Sequence, residues 1–341
     1  MHIPDGMLDT KTFTTLWAGG ASGIGYASWW IRRHFDSTKM VLMAVMASLI
    51  FALQMLNFPV ALGTSGHFAG GAAAAIILGF WPASVVMTAV LIIQALLFGD
   101  GGITTLGANI VNLALCAPSV GILVYQLGCR LHSVPAARII SSFLAAFSSV
   151  VAAAALVAIE LWASGRAPFY PVMTAMVSWH ALIGIGEGVI TASLIAFLLK
   201  VRPSLLGITQ PVDKTSVGKL EAEPTSSPGA QVKPTSSTSS AQAGSQQGVV
   251  VVFAVIALAA AGLSFLASQH PDGLEYVYFE TGIGSFFEEL GFSKLAPLAD
   301  YLIPGVANET LSVVGAGIIG VVLTGSLLFI VSTLIVRSRV K

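Results

Sequence analysis

Residues 66–82, GHFAGGAAAAIILGFWP, decide how often this chain crosses a bilayer. Joined to the apolar run that continues to residue 98, they make one span. Divided at Gly79 and Pro82, they make two helices joined by a tight hairpin. Glycine closes helices and proline opens them, so the GFWP step reads as the hairpin.

Composition and charge placement test that reading. Of 341 residues, 55% are hydrophobic and only 9% charged, against about 25% charged in soluble domains, and the mean hydropathy is +0.85. This is the composition of an integral membrane protein. Apart from the segment at 66–80, stretches near the roughly 20 residues that a crossing needs run over about residues 12–31, 40–57, 81–98, 106–128, 138–163 and 172–199, with two more at 248–267 and 311–336. With the hairpin, seven spans precede residue 203 and two follow it. An outside N-terminus then leaves only Lys11, Arg166 and Lys294 of the 16 Lys and Arg on the outer side, as the positive-inside rule asks. A single span over 66–98 breaks that alternation. The expected architecture is an all-α polytopic membrane protein, a seven-helix bundle plus a two-helix accessory module. It lies in the cell (inner) membrane, with the N-terminus outside and the C-terminus cytoplasmic.

Residues 203–247, which include KPTSSTSSAQAGSQQG, are rich in Ser, Thr, Pro and Gln and lack hydrophobic periodicity. Such a stretch cannot bury a core and reads as a disordered cytoplasmic linker between a domain at 1–202 and one at 248–341. The 16 basic and 16 acidic residues cancel, so net charge supports no nucleic-acid partner. Cys116 and Cys129 offer neither a disulfide framework nor a metal-ligand spacing. The opening MHIPDGMLDTK has two Asp and no basic region before the first apolar core, so the N-terminus is expected to be retained rather than cleaved as a signal peptide.

Retention matters because a histidine stands second. The Met1 amine, the residue-2 amide nitrogen once it loses its proton, and the His2 imidazole Nδ1 can wrap one metal in fused chelate rings. A fourth nitrogen completes the square plane that suits Ni(II) or Cu(II). His67, at the outer end of the third span and hence on the same side as Met1, is the candidate for it. Its neighbours Gly63, Ser65, Gly66, Gly70 and Gly71 leave room for close backbone approach. The bland alternatives are a surface histidine at position 2 and an interfacial one at 67. The eleven residues before the first span extend to about 36 Å, so reach is no obstacle.

Other polar residues are supporting candidates. Asp100, between glycines in FGDGG, can accept from the site's imidazoles or sit in a solvated turn. Asn109 and Asn112, like Gln54 and Gln94, more often join helices than touch a substrate. His180 and Glu187 lie seven apart on one face of the seventh span, as a transport pathway or as a buried lock between helices. Ala44, Ser48 and Ala52 form a small-residue strip against which another helix can pack. Phosphate-loop, HExxH and GxSxG motifs are all missing, which leaves no basis for ATP hydrolysis, metalloprotease or hydrolase chemistry in this chain.

MHIPDGML, GTSGHFAGGAAAAIILGFWPA, LIIQALLFGDGGITTLGANIVNLAL and GEGVITASL together resemble the CbiM/NikM family over about residues 1–202. That family comprises the substrate-binding membrane components of energy-coupling-factor importers for cobalt and nickel. The resemblance implies a metal site of the Met1 amine, the His2 amide and imidazole, and the His67 imidazole, with Ni(II) or Co(II) as transported ligand and no catalytic cofactor. The tail, ASQHPDGLEYVYFETGIG and a last span, looks like the PDGLE domain that accompanies such proteins in the position of the small N subunit. Implied partners are a transmembrane coupling protein of CbiQ/NikQ type and a pair of cytoplasmic CbiO/NikO-type ATPases, beside the lipid bilayer; the strip at 44–52 would be the coupling-protein contact.

IPDGM at 3–7 is echoed by HPDGL at 270–274, and the topology puts both turns outside. A docked second turn that helps load or release the ion is one reading, and common turn chemistry the other. Two rival functions remain: a stand-alone channel or proton-coupled carrier that uses His180 and Glu187, and a membrane metalloenzyme or sensor. The second suffers from a coordination plane already filled by protein nitrogens.

Overall fold

The computed structural model describes residues 1–34, 37–61, 63–131, 134–206, 237–268, 270–282 and 296–337. Two helices, α1 (Thr10–His34) and α2 (Ser37–Gln54), lead into a small antiparallel hairpin, β1 (Phe58–Ala61) and β2 (Thr64–Gly66). Then come the short α3 (Gly71–Leu78) and the long α4 (Phe80–Phe98), α5 (Leu106–Leu131), α6 (Pro135–Ala163) and α7 (Phe169–Val201). The C-terminal part contributes α8 (Ser237–Gly262), a short α9 (Gly273–Thr281) and α10 (Glu309–Arg337). Among the described residues, five helices, α4 to α7 and α10, are long and apolar enough to cross a membrane, while α2 and α8 carry shorter apolar stretches. The helical bundle expected from the sequence is therefore present.

The GFWP step is a hairpin, with Gly79 at φ 87° between α3 and α4. The third crossing nevertheless differs from a full helix. Eight residues of α3 rise about 12 Å, well short of the roughly 30 Å hydrocarbon core. Non-helical chain from β2 to Gly70, itself at φ 81°, makes up the rest. Backbone outside a helix or sheet is tolerated at membrane depth only where protein groups satisfy it, and the exposed-amide problem is solved here by side chains. Glu187 accepts from the Ala69 and Gly70 amides at 2.7 and 2.9 Å. Gln54 donates to the Ala69 carbonyl at 2.8 Å and in turn accepts from Gln94 at 2.7 Å. The amides expected to join helices thus also hold a broken strand of main chain.

The β-hairpin, with Phe58 opposite Gly66 and Pro59 opposite Ser65, was not visible in the apolar pattern. Helices α8 and α10 both lean on α2. Ser48 donates to the Val321 carbonyl of α10 at 2.8 Å, and Gly320 and Gly325 of α10 let Phe51 and Ser48 approach its backbone. The strip at Ala44, Ser48 and Ala52 is accordingly covered by a helix of the same chain, a correction to its expected use for a separate coupling protein. Small residues permit close approach without naming the partner. Helix α8 starts at Ser237, inside the stretch read as linker. At its other end Pro203–Leu206 form one turn of 3-10 helix; residues 207–236 lie outside the described residues, as do Lys294, Arg339 and Lys341 of the orientation argument.

Candidate metal centre

The first eight residues are built into the core. Met1, His2, Ile3, Met7 and Leu8 are all buried. Ile3 is the anchor: its amide donates to Asn109 Oδ1 at 2.8 Å, and its carbonyl accepts from the Gly102 amide at 2.9 Å, from Asn109 Nδ2 at 3.1 Å and from the Thr105 hydroxyl. Asp5 accepts from the Thr104 and Ile103 amides at 2.7 and 3.1 Å. The loop between α4 and α5 can close on this segment because Gly102 has no side chain, and any Cβ there would strike Asp5. These contacts leave Met1 and His2 facing inward.

His67 reaches the same place from the broken third crossing. Its ring lies parallel to that of His2, centroids 5.5 Å apart and planes 7° apart. Two carboxylates flank the pair. Asp100 Oδ1 sits 2.8 Å from His2 Nδ1, and its other oxygen accepts from Tyr301 at 2.6 Å. Asp272, in the C-terminal part, pairs with the Met1 amino group and lies 3.9 Å from His67 Nε2. Around it the chain is docked firmly: the Pro271 carbonyl accepts from the Ser65 amide at 2.8 Å and the His270 carbonyl from its hydroxyl at 2.7 Å. Tyr276 stacks edge-on against Trp179 of α7, centroids 4.6 Å apart. The HPDGL turn therefore rests against Met1 and β2.

Electrostatics follow from this geometry. Desolvation alone would raise Asp100, but the His2 imidazole and the Tyr301 hydroxyl outweigh it and hold the carboxyl well below the usual range. The Met1 amine and His67 do the same for Asp272. Nitrogens gathered between two ionised carboxylates suit a divalent cation once each has given up its proton. Among the described residues no three His, Cys, Asp or Glu side chains gather at metal-ligand spacing, so a metal centre here must draw on main-chain nitrogens.

The supporting candidates are brought to different places. Asn109 holds Ile3, and Asp100 holds His2. Glu187 holds the His67 limb through the Ala69 and Gly70 amides. His180 lines a cavity with Met1, His67 and Asp272, and no hydrogen bond joins it to Glu187. Three residues went unmarked in the sequence. Asp272 and Tyr301 face the site from the C-terminal part, and the only signal was the repeated Pro-Asp-Gly. Glu160, buried in α6, accepts from Asn112 at 2.8 Å; an acidic residue in an apolar span was the available clue.

Residues 2–205 match the family described as CbiM, cobalt uptake substrate-specific transmembrane region. The chain belongs to the CbiM family. Behind this CbiM region, residues 247–337 match the PDGLE domain. A putative metal transport protein of Haloquadratum walsbyi is 39% identical over 208 residues, 60% of this chain and 93% of that one. A putative fused nickel transport protein NikMN of Archaeoglobus fulgidus is 37% identical over 225 residues, 64% and 71% of the two chains. A crystal structure described as a transition metal transporter superposes with TM-score 0.53 at 35% identity, over 59% of this chain and 93% of that one. This CbiM-family protein thus joins a transport domain and a PDGLE domain in one chain, as fused relatives do, and its role is metal transport.

Proposed function

We propose that this CbiM–PDGLE chain is the substrate-binding subunit of an ATP-driven energy-coupling-factor importer and that it captures Ni(II) or Co(II) outside the cell. Met1 supplies its amine, His2 its amide nitrogen and Nδ1, and His67 one imidazole nitrogen. The chain itself does no bond chemistry. A transmembrane coupling protein and two cytoplasmic ATPases supply the energy, with the Met1 end of the bundle facing outward and the C-terminus inward.

The observation that carries this reading is the burial of Met1 and His2 beside a parallel His67 ring, with the following residue locked by Asn109. A floppy tail could not preorganise such a chelate; this one is held. In the arrangement described, His2 Nδ1 faces Asp100 and the Met1 amine faces Asp272, so capture exchanges two carboxylate partners for one cation. His2 Nε2, which lacks a hydrogen-bond partner among the described residues, is then the nitrogen free to donate to a carboxylate, an outer contact of the kind that orients metal-bound imidazoles. Planar four-nitrogen coordination favours nickel over cobalt. The proton-coupled alternative loses ground because both Glu187 oxygens already serve backbone amides.

The test is one extra residue before Met1. It displaces the amine and leaves every helix unchanged. Nickel affinity measured by titration of the purified full chain should fall at least a hundredfold. Unchanged affinity sinks the chelate. Metal flux in vesicles lacking ATPase partners would favour the carrier instead.

A further inference from the structure

We propose that His180 Nε2, with the Asp272 carboxylate, forms a second and weaker station for the same divalent cation, next to the N-terminal chelate. This rests on the metal-capture reading above and adds a ligand to it.

His180 is 1% exposed, and it stands eleven residues from the Phe169 end of α7, about 16 Å along the helix. Its Nδ1 lies 2.8 Å from the Met176 carbonyl. A carbonyl only accepts, so Nδ1 carries the hydrogen and Nε2 carries the lone pair. Among the described residues, that nitrogen has no hydrogen-bond partner. It belongs to a cavity also lined by Met1, His67, Ile183, Asp272 and Gly273. A buried imidazole acceptor left unpaired invites an explanation, and here it opens on the space where the cargo ion is caught.

Gly273 keeps that opening. A Cβ on residue 273 would fall 2.8 Å from His180 Cε1 and 3.0 Å from Nε2, so any larger residue covers the lone pair. Asp272, one residue earlier, faces Met1 and His67 across the same cavity. One anion therefore adjoins both stations. Imidazole with a carboxylate and water suits nickel and cobalt, and two protein ligands hold an ion less tightly than a closed chelate. A cation leaving the chelate finds its next nitrogen at His180, which makes the PDGLE turn a wall of the exit path.

The station is tested in the full-length chain carrying one extra residue before Met1, so that the chelate is disabled. Co(II) is titrated and its visible absorption followed, because the bands report nitrogen ligation. The extended chain should retain weak Co(II) binding, and His180→Gln should weaken it at least tenfold. Gly273→Ala should weaken it comparably while keeping His180 and its bond to Met176; this separates blocked ligation from misfolding, and melting temperatures are recorded for both. Weak binding that survives both substitutions overturns the station and leaves only a bridging water at Nε2. An extended chain that keeps full tight affinity overturns the chelate instead. The two substitutions are then compared in the native chain, where loss of the weaker equivalent still supports His180.

Discussion

Two Pro-Asp-Gly turns flank the candidate metal centre, and their aspartates do different work. Asp5 in IPDG directs both oxygens at the loop between α4 and α5, gripping the Ile103 and Thr104 amides and the Thr104 hydroxyl. Asp272 in HPDG divides its oxygens: one caps α9 by accepting from the Leu274 and Glu275 amides at 2.8 and 2.9 Å, and the other faces Met1 and His67. The contrast separates carboxylates that build the site from carboxylates that bear on its contents. Glu187 belongs with Asp5, since it holds the His67 limb by two amides. Asp100 belongs with Asp272.

The largest expected effect is on the building side. Glu187→Ala strips the only described acceptors from the Ala69 and Gly70 amides, and each buried donor left unsatisfied costs about 1–3 kcal/mol. Removing both should destabilise the metal-free protein by about 2–6 kcal/mol, seen as a lower melting temperature in detergent, and weaken nickel binding with it. If the metal-free protein melts unchanged while transport stops, Glu187 is a pathway residue and the grouping with Asp5 fails.

Next comes the direct comparison of the turns. Asp5→Asn removes charge from an acceptor of three hydrogen bonds, whereas Asp272→Asn can keep its capping oxygen on α9. Hydrogen bonds to charged groups contribute about 1.5–3 kcal/mol, so Asp5→Asn should cost the metal-free fold more and lower nickel affinity as Ile3 loosens. Asp272→Asn should change metal association and release kinetics more than melting. Equal losses in melting temperature from the two would abolish the contrast.

The sequence made the helical architecture legible because a membrane imposes one rule per helix, apolar length. It made Met1 and His2 visible as candidates because a histidine beside an amine is local chemistry, and the structure buries both beside His67. The eight-residue α3 escaped because apolarity is the same in a half helix and a whole one; what shortens it is Glu187, more than a hundred residues away. Asp272 and Tyr301 escaped for a similar reason. Their position depends on packing α8 and α10 against α2, which small residues allow from either side without saying who arrives.

A pH series sharpens the comparison from the side of the carboxylates. Asp100 and Asp272 are held below the usual carboxylate range by the groups they face. The unfolded chain therefore binds more protons once pH falls to about 4, so the stability these two gain is fully present above that value and is lost as pH falls further. Asp272→Asn should flatten the acid limb of the metal-free melting-temperature profile. A profile unaltered by Asp272→Asn would mean that the carboxylate is not held by Met1 and His67 as described.

The smallest effect probes the far side of the site. Tyr301 donates to Asp100 at 2.6 Å, and its ring stacks on Phe98, centroids 4.7 Å apart. Tyr301→Phe keeps the stacking and removes one hydrogen bond, a change of about 1 kcal/mol. Because Asp100 also faces His2, the loss should register in nickel affinity, by about fivefold or less, while melting stays near the native value. Direction is informative. Weaker binding means that the hydroxyl orients Asp100 toward the metal-bound imidazole; tighter binding means that it draws the carboxylate away from His2, and the C-terminal part then restrains capture at Asp100.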